Sequence, residues 1–309
     1  MNSARKRSEC ENMAGIKLTW TPNTDTGIES DYVIGTENTD RNKLLFTQLG
    51  GFSGSDTEDY TSKSAYQNGR TYFSQFATER QINFTFRING DGYDDINLRK
   101  LDAINAFSAT NGEGVLKIEF PDGREYSIRC VPKGSPIFND VAAGSKSATN
   151  CTIFLTAYDP FWFNPTENTL NIYVFTGGFT LPFTVPFTLG QTGQYAVINS
   201  GHASTPVTIQ IPGPITNPII TNTRTGEHIE VVKTLLLGEF ITIDTSFKNA
   251  LVTYTDLNGD KFNILSAVTP DSEFWQLLPG RNEITLSDVT ALNENPLILS
   301  WYDKYWGVF

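Results

Sequence analysis

A chain of 309 residues with 34 Asp and Glu against 23 Lys and Arg carries a net charge of −11. That balance excludes nucleic-acid binding through a basic face, because neutralising phosphates needs clustered Lys and Arg. The length predicts two domains, large enough to bury cores without disulfide or metal support. Aromatic residues reach 12%, with 21 Phe against 2 Met, which favours pleated sheets over helical bundles.

Residues 1–13 are expected to form a disordered or extended tail. Arg5-Lys6-Arg7 is followed by Ser8-Glu9-Cys10-Glu11-Asn12, with none of the apolar stretch a signal peptide needs. No stretch approaches a transmembrane length. Cys10, Cys130 and Cys151 are scattered and lack a CxxC pair, so they predict neither a zinc site nor a disulfide framework. Cys130 and Cys151 read as small buried hydrophobes, in a chain that folds in a reducing cytoplasm.

The first domain, over 14–158, opens on the alternating strand Ile16 to Trp20. Loops around a weak strand at Tyr32-Val33-Ile34 follow, from Pro22 to about Asp40. Thr47 to Lys63 is rich in Gly, Ser and Asp and predicts a loop without regular structure. Gln81 to Ile88 alternates cleanly and predicts a strand, which Gly90-Asp91-Gly92 breaks. Ile96, Leu98, Leu101, Ile104 and Phe107 then fall near helical spacing. They predict one helix from about Asp94 to Ala109, with Ile96, Leu101, Ile104 and Phe107 facing the core. Val115 to Phe120 and Glu125 to Cys130 read as strands around the turn Pro121-Asp122-Gly123-Arg124. Ala148 to Tyr158 is a further strand, with Cys151, Ile153 and Leu155 on one side.

A boundary is placed at Asp159-Pro160-Phe161-Trp162, giving a second domain over 159–309. Phe179-Thr180-Leu181-Pro182-Phe183-Thr184-Val185-Pro186-Phe187-Thr188-Leu189 repeats Phe-Thr-apolar-Pro with period four. Its prolines forbid a helix interior and a central strand. Phe179, Leu181, Pro182, Phe183, Val185, Pro186, Phe187 and Leu189 are therefore candidates for an apolar belt, covered by the same domain or by a neighbouring subunit. Val207, Ile209 and Ile211 alternate as a half-buried strand, as do Ile241 and Ile243. Thr225-Gly226, Asn258-Gly259 and Pro279-Gly280 supply turns. The sequence thus predicts a mainly β protein.

The chemical motifs are weak. Asn89 to Asp95 suggests a calcium loop, but the position that demands a bidentate Glu falls on Lys100. A turn in which Asp94 or Asp95 caps a helix fits better. Asp256-Leu257-Asn258-Gly259-Asp260 is a hairpin with a polar tip. His202 and His228 lack a nucleophile elbow or a metal-pair spacing. No catalytic residue, metal ligand or cofactor is predicted.

The order of turns in the second half carries a resemblance. Asn199-Ser200-Gly201 leads to Thr205-Pro206, then Asn222 with Thr225-Gly226-Glu227. Gly238 to Thr245 follows, and Phe274 to Asn282 ends the series. This order resembles the C-terminal domain of siphophage distal tail proteins. The acidic-Pro-aromatic junction and the Phe-Pro-rich segment are also similar. The resemblance implies an N-terminal tail-tube-like β-sandwich with one flanking helix and hairpin, and a C-terminal galectin-like β-sandwich. It implies a structural virion protein, assembled in the host bacterial cytoplasm, forming a hexameric ring with copies of itself at the tube-tip junction. The implied partners are the tail tube protein, a tail-associated hub or lysin protein, and receptor-binding or baseplate proteins. Genomic DNA would pass through an acidic or neutral lumen without specific binding, and no membrane is involved.

Two other classes compete. A lectin-like adhesion module would stack sugars on Trp162, Trp275, Trp301 or Trp306, although tryptophans in strands and beside turns are more often core. A glycosidase-like enzyme has only generic carboxylate pairs in its favour.

Overall fold

The computed structural model describes residues 15–23, 31–35, 45–140, 148–172, 194–247, 250–287 and 295–309. The chain divides into two compact units, one of residues 1–165 with 305–309 and one of residues 166–304. The expected division at Asp159 therefore falls inside the first unit. The reason is packing: Trp162 is wholly buried in that unit's core, and Val308 from the returning segment packs in the same core.

The first unit holds β1 (Lys17–Thr21), β2 (Tyr32–Gly35), β3 (Leu45–Gly50), β4 (Thr57–Ser62), β5 (Thr71–Ala77), β6 (Arg80–Asn89), helix α1 (Tyr93–Ala106), β7 (Gly114–Glu119), β8 (Glu125–Pro132), β9 (Ile137–Asp140), β10 (Ala148–Ala157) and β11 (Trp162–Phe163). The main path runs β2-β1-β7-β8-β10-β6-β3. The link between β8 and β10 is short, with Leu155 and Thr156 opposite Pro132 and Val131. It joins two antiparallel layers that fold over one core. Leu18, Trp20, Leu116, Ile118, Ile128 and Cys130 come from one layer. Ile82, Phe84, Phe86, Ile88, Cys151, Ile153 and Leu155 come from the other. Alternation explains this directly, since side chains at i and i+2 share a face. Each such burial contributes about 1.5–3 kcal/mol.

Two expectations change here. The stretch read as a loop from Thr47 to Lys63 carries the end of β3 and all of β4. Helix α1 ends at Ala106, before a short 3-10 turn at Ala109–Asn111. Its buried residues are Ile96, Ala103 and Ala106, with Phe107 just beyond. Leu101 and Ile104, expected in the core, are exposed, as is Leu98. The apolar positions were two faces rather than one. At 100° per residue, Leu98 points about 200° away from Ile96. Small alanines bring the helix close to the sheet, and Trp20 Nε1 donates to Ala106 O at 2.8 Å.

The second unit holds β12 (Asn168–Ile172), β13 (Gln194–Asn199), β14 (Val207–Pro212), β15 (Ile215–Thr216), β16 (Ile219–Asn222), β17 (Glu227–Glu230), β18 (Thr234–Leu235), β19 (Phe240–Asp244), β20 (Leu251–Thr255), β21 (Lys261–Asn263), β22 (Gly280–Leu286) and β23 (Leu297–Trp301). A six-stranded sheet runs β12-β23-β14-β19-β20-β21, and a four-stranded sheet runs β13-β22-β16-β17. Ile209, Ile211, Ile241, Ile243 and Leu299 of the first share one core with Val197, Ile220, Ile229 and Ile284 of the second. This is a β-sandwich, and the protein is mainly β with one α-helix among the described residues.

Candidate assembly surfaces

Polar side chains that fix turns dominate the second unit. Asn199 Nδ2 donates to Ala203 O at 3.0 Å and Leu277 O at 2.9 Å, while its Oδ1 accepts from Gly201 N at 2.9 Å. Gly201 fits only without a side chain, because a Cβ there would lie 2.3 Å from Lys304 O. Asn282 Nδ2 donates to Leu278 O at 2.8 Å and Gly280 O at 3.1 Å, and its Oδ1 accepts from Leu278 N. Asn222 Nδ2 reaches the same Oδ1 at 3.3 Å. All three asparagines are at most 1% exposed. Burying such amides without partners would cost about 1–3 kcal/mol each, so these residues hold loop shape rather than await a ligand. Asp256 Oδ1 accepts from Asn258 N and Asp260 N, both at 2.9 Å, forming the expected polar hairpin tip. Those amides hold its carboxyl below the usual range.

In the same unit, Glu239 accepts from Tyr254 Oη at 2.6 Å and from Leu236 N at 2.7 Å. The Leu236 amide, then the Tyr254 hydroxyl, lowers the Glu239 pKa. The same bond raises Tyr254 to about 12. Lys233 Nζ lies 4.2 Å from the centre of the Tyr254 ring.

The first unit presents two apolar surfaces. Among the described residues, strands β4 and β5 pair with each other alone, as a separate two-stranded sheet. Tyr60, Tyr72, Phe73 and Phe76 on them are each more than half exposed. Tyr60 and Phe73 touch, with ring centroids 5.6 Å apart. Cross-strand polar bonds such as Gln75 Nε2 to Thr57 Oγ1 at 2.7 Å keep the register. A hairpin of this kind is marginal in water by itself. The second surface is the helix stripe of Leu98, Leu101 and Ile104, which are 63%, 53% and 38% exposed. Neither surface was read from the sequence as a site. The available signal was Thr71-Tyr72-Phe73-Ser74-Gln75-Phe76, three aromatics in a polar run.

The other candidates resolve into local structure. Helix α1 begins after Gly92 without a side-chain cap. Instead of capping helix amides, Asp95 reaches back to Asp91 N at 3.0 Å and pairs with Arg99 at 3.1 Å. It sits one turn in, where reaching backward is easier than reaching forward. His228 lies 3.6 Å from Asp271, and His202 N donates to Lys304 O. Among the described residues, no group of three or more His, Cys, Asp or Glu is placed to hold a metal. Cys130 and Cys151 are free and buried, and burial pushes the Cys151 thiol up to about 12 and that of Cys130 higher still. Trp162, Trp275 and Trp301 are buried and offer no ring to a sugar. Trp306 is 37% exposed. The belt of Phe179, Leu181, Pro182, Phe183, Val185, Pro186, Phe187 and Leu189 lies outside the described residues, as do Cys10 and the tail of residues 1–13. No helix among the described residues is long and apolar enough to cross a membrane.

Residues 200–305 match the family model described as the siphovirus-type tail component, C-terminal domain. The matched segment takes in the turns described above. The fold is similar to that of the SPP1 Dit (gp 19.1) protein, whose crystal structure is described as a paradigm of the hub adsorption apparatus in phages infecting Gram-positive bacteria. That similarity has a TM-score of 0.62 at 16% identity, over 93% of this chain and 98% of that one. A chain of the phage P2 baseplate in its activated conformation with Ca is similar at a TM-score of 0.48 and 13% identity, over 94% of this chain and 97% of that one. No curated protein sequence matches the chain.

Proposed function

We propose that this protein is a structural component of a siphophage virion, a distal tail protein that joins the tail tube to the tail tip and works without catalysis. The match of residues 200–305 to the tail-component model carries the reading. The fold shared with the SPP1 Dit protein along nearly the whole chain supports it.

The assembled form is a hexameric ring built by the first unit. The separate β4–β5 hairpin and the Leu98, Leu101 and Ile104 stripe support self-association, since both are exposed among the described residues. A ring is the closed solution when such contacts are heterologous. The second unit docks baseplate or receptor-binding proteins, while the tube protein and a hub or lysin protein meet the ring along its axis. With −11 per chain, the lumen repels phosphate, so genomic DNA passes without binding. The Phe179 to Leu189 belt adds assembly contacts through Phe183 and Phe187.

Negative-stain microscopy of the purified protein tests the reading, with light scattering for mass. Six-fold rings, weakened by Phe183→Ser with Phe187→Ser while the monomer fold is retained, are expected. A protein that remains monomeric at high concentration and with its tube partner, yet binds glycans, would be a lectin-like module instead.

A further inference from the structure

Residues 305–309 follow the second unit in sequence yet belong to the first. Tyr305 packs edge-on against Tyr126 at 5.1 Å between ring centres. Val308 is 5% exposed within the first core, and its amide donates to Phe52 O at 3.0 Å. Phe309 covers Phe52 and Phe120. Gly307 lies so close to the loop after β3 that a Cβ would fall 1.5 Å from Ser53 O.

One side chain ties this segment to the rest of the unit. Arg80, 1% exposed, stands at the start of β6. Its guanidinium donates to Pro160 O at 2.6 Å, Gly51 O at 2.7 Å, Gly54 O at 2.9 Å and also to Trp306 O. These acceptors come from three separate stretches of chain. A buried cation is tolerable only when its donors are met, and five N–H groups in a fixed fork demand acceptors in fixed places. Without residue 306, one donor of a buried guanidinium loses its acceptor and the Phe52 loop loses its cover.

We propose that residues 305–309 are a strap that closes the first unit, so that this unit reaches its native state only after the second has been made. The first unit emerges early, with its sheets but with Arg80 incompletely bonded and Phe52 uncovered. Its loop at 51–54 stays open until the strap arrives. The chain order thus delays completion of the unit that carries the exposed apolar hairpin.

The test compares three versions by hydrogen exchange and calorimetry: the full chain, the full chain with Gly307→Ala, and a chain ended after Lys304. In the shortened chain, the amides of Phe52 and of β6 should exchange at least ~10-fold faster, while those of β14 and β19 keep their protection. Gly307→Ala should shift the same amides in the same direction by a smaller factor. A synthetic Tyr-Trp-Gly-Val-Phe peptide at millimolar concentration should restore part of the protection. Should the shortened chain be insoluble, Gly307→Ala decides alone. Unaltered exchange at Phe52 and β6 in Gly307→Ala, or in a soluble shortened chain, overturns the proposal. Because the readout is monomer protection, a failure of ring formation leaves the result interpretable.

Discussion

The two units solve the same problem by opposite means. Both must anchor irregular backbone that passes close to a β core. The second unit uses asparagine amides and one carboxylate that act mostly within a few residues: Asn282 on Leu278 and Gly280, Asn199 on Gly201, Asp256 on Asn258 and Asp260. The first unit uses one charged side chain, Arg80, whose four acceptors lie 26 to 226 residues away. Local anchors can form as soon as their turn exists and fail one at a time. A single distant anchor couples remote segments, and its loss frees all of them together. Burial lowers the Arg80 pKa to about 10, and four carbonyl acceptors favour the charged form, so it is cationic at neutral pH.

Four variants sharpen the contrast, beginning with the largest effect. Arg80→Met should destabilise the first unit by about 4 kcal/mol, since several buried carbonyls lose a charged donor at once. Calorimetry should show that unit's transition fall while the other stays; a common shift of both would mean the units do not melt independently. Asn282→Ala should cost the second unit about 2 kcal/mol, the scale of one buried amide with local partners. Calorimetry of the second unit's transition reads it, and a loss as large as that of Arg80→Met would erase the distinction between local and distant anchors.

Tyr254→Phe has an effect only at alkaline pH beyond its lost hydrogen bond. The folded pKa of Tyr254 is raised to about 12, first by the bond to Glu239, above an unfolded value of about 10. Its contribution is therefore complete below pH ~10 and lost as pH rises towards ~12. The variant should show a flatter stability profile over that window, and an equally steep one would assign the decline to other tyrosines. The smallest effect on folding belongs to the hairpin. Tyr60→Ser with Phe73→Ser should change monomer stability by less than about 0.5 kcal/mol, as exposed sites do, while reducing self-association in light scattering. A large drop in the monomer melting temperature would make the hairpin part of the first core.

Thiol chemistry separates buried from accessible positions in the same spirit. In a Cys10→Ser background, Cys130 and Cys151 should resist a thiol reagent in the folded protein and react fully in denaturant. Fast reaction of either in the native state would contradict its burial.

Much of this architecture was legible because it is local. Alternation gave Gln81 to Ile88, Val207 to Ile211 and Ile241 to Ile243, since period two is a property of the strand itself. Asn258-Gly259 and Asn199-Ser200-Gly201 announced turns, because their anchors lie within the same few residues. That is also why the second unit's likeness to tail components showed in the spacing of its turns. The helix face was misread because Leu98, Leu101 and Ile104 share helical spacing with one another, and spacing does not say which of two stripes meets a sheet. The hairpin of Tyr60 and Phe73 escaped notice because no core imposes alternation on it.

The sequence by itself determined the alternating core strands, the one helix among the described residues, the turns and the acidic balance, all set by interactions among near neighbours or by composition. Only the tertiary structure decided that Arg80 is a buried anchor, that residues 305–309 return to the first unit, and that the helix hides alanines and shows leucines. Those outcomes depend on which distant carbonyls and rings share one volume, and no local pattern of residues carries that information.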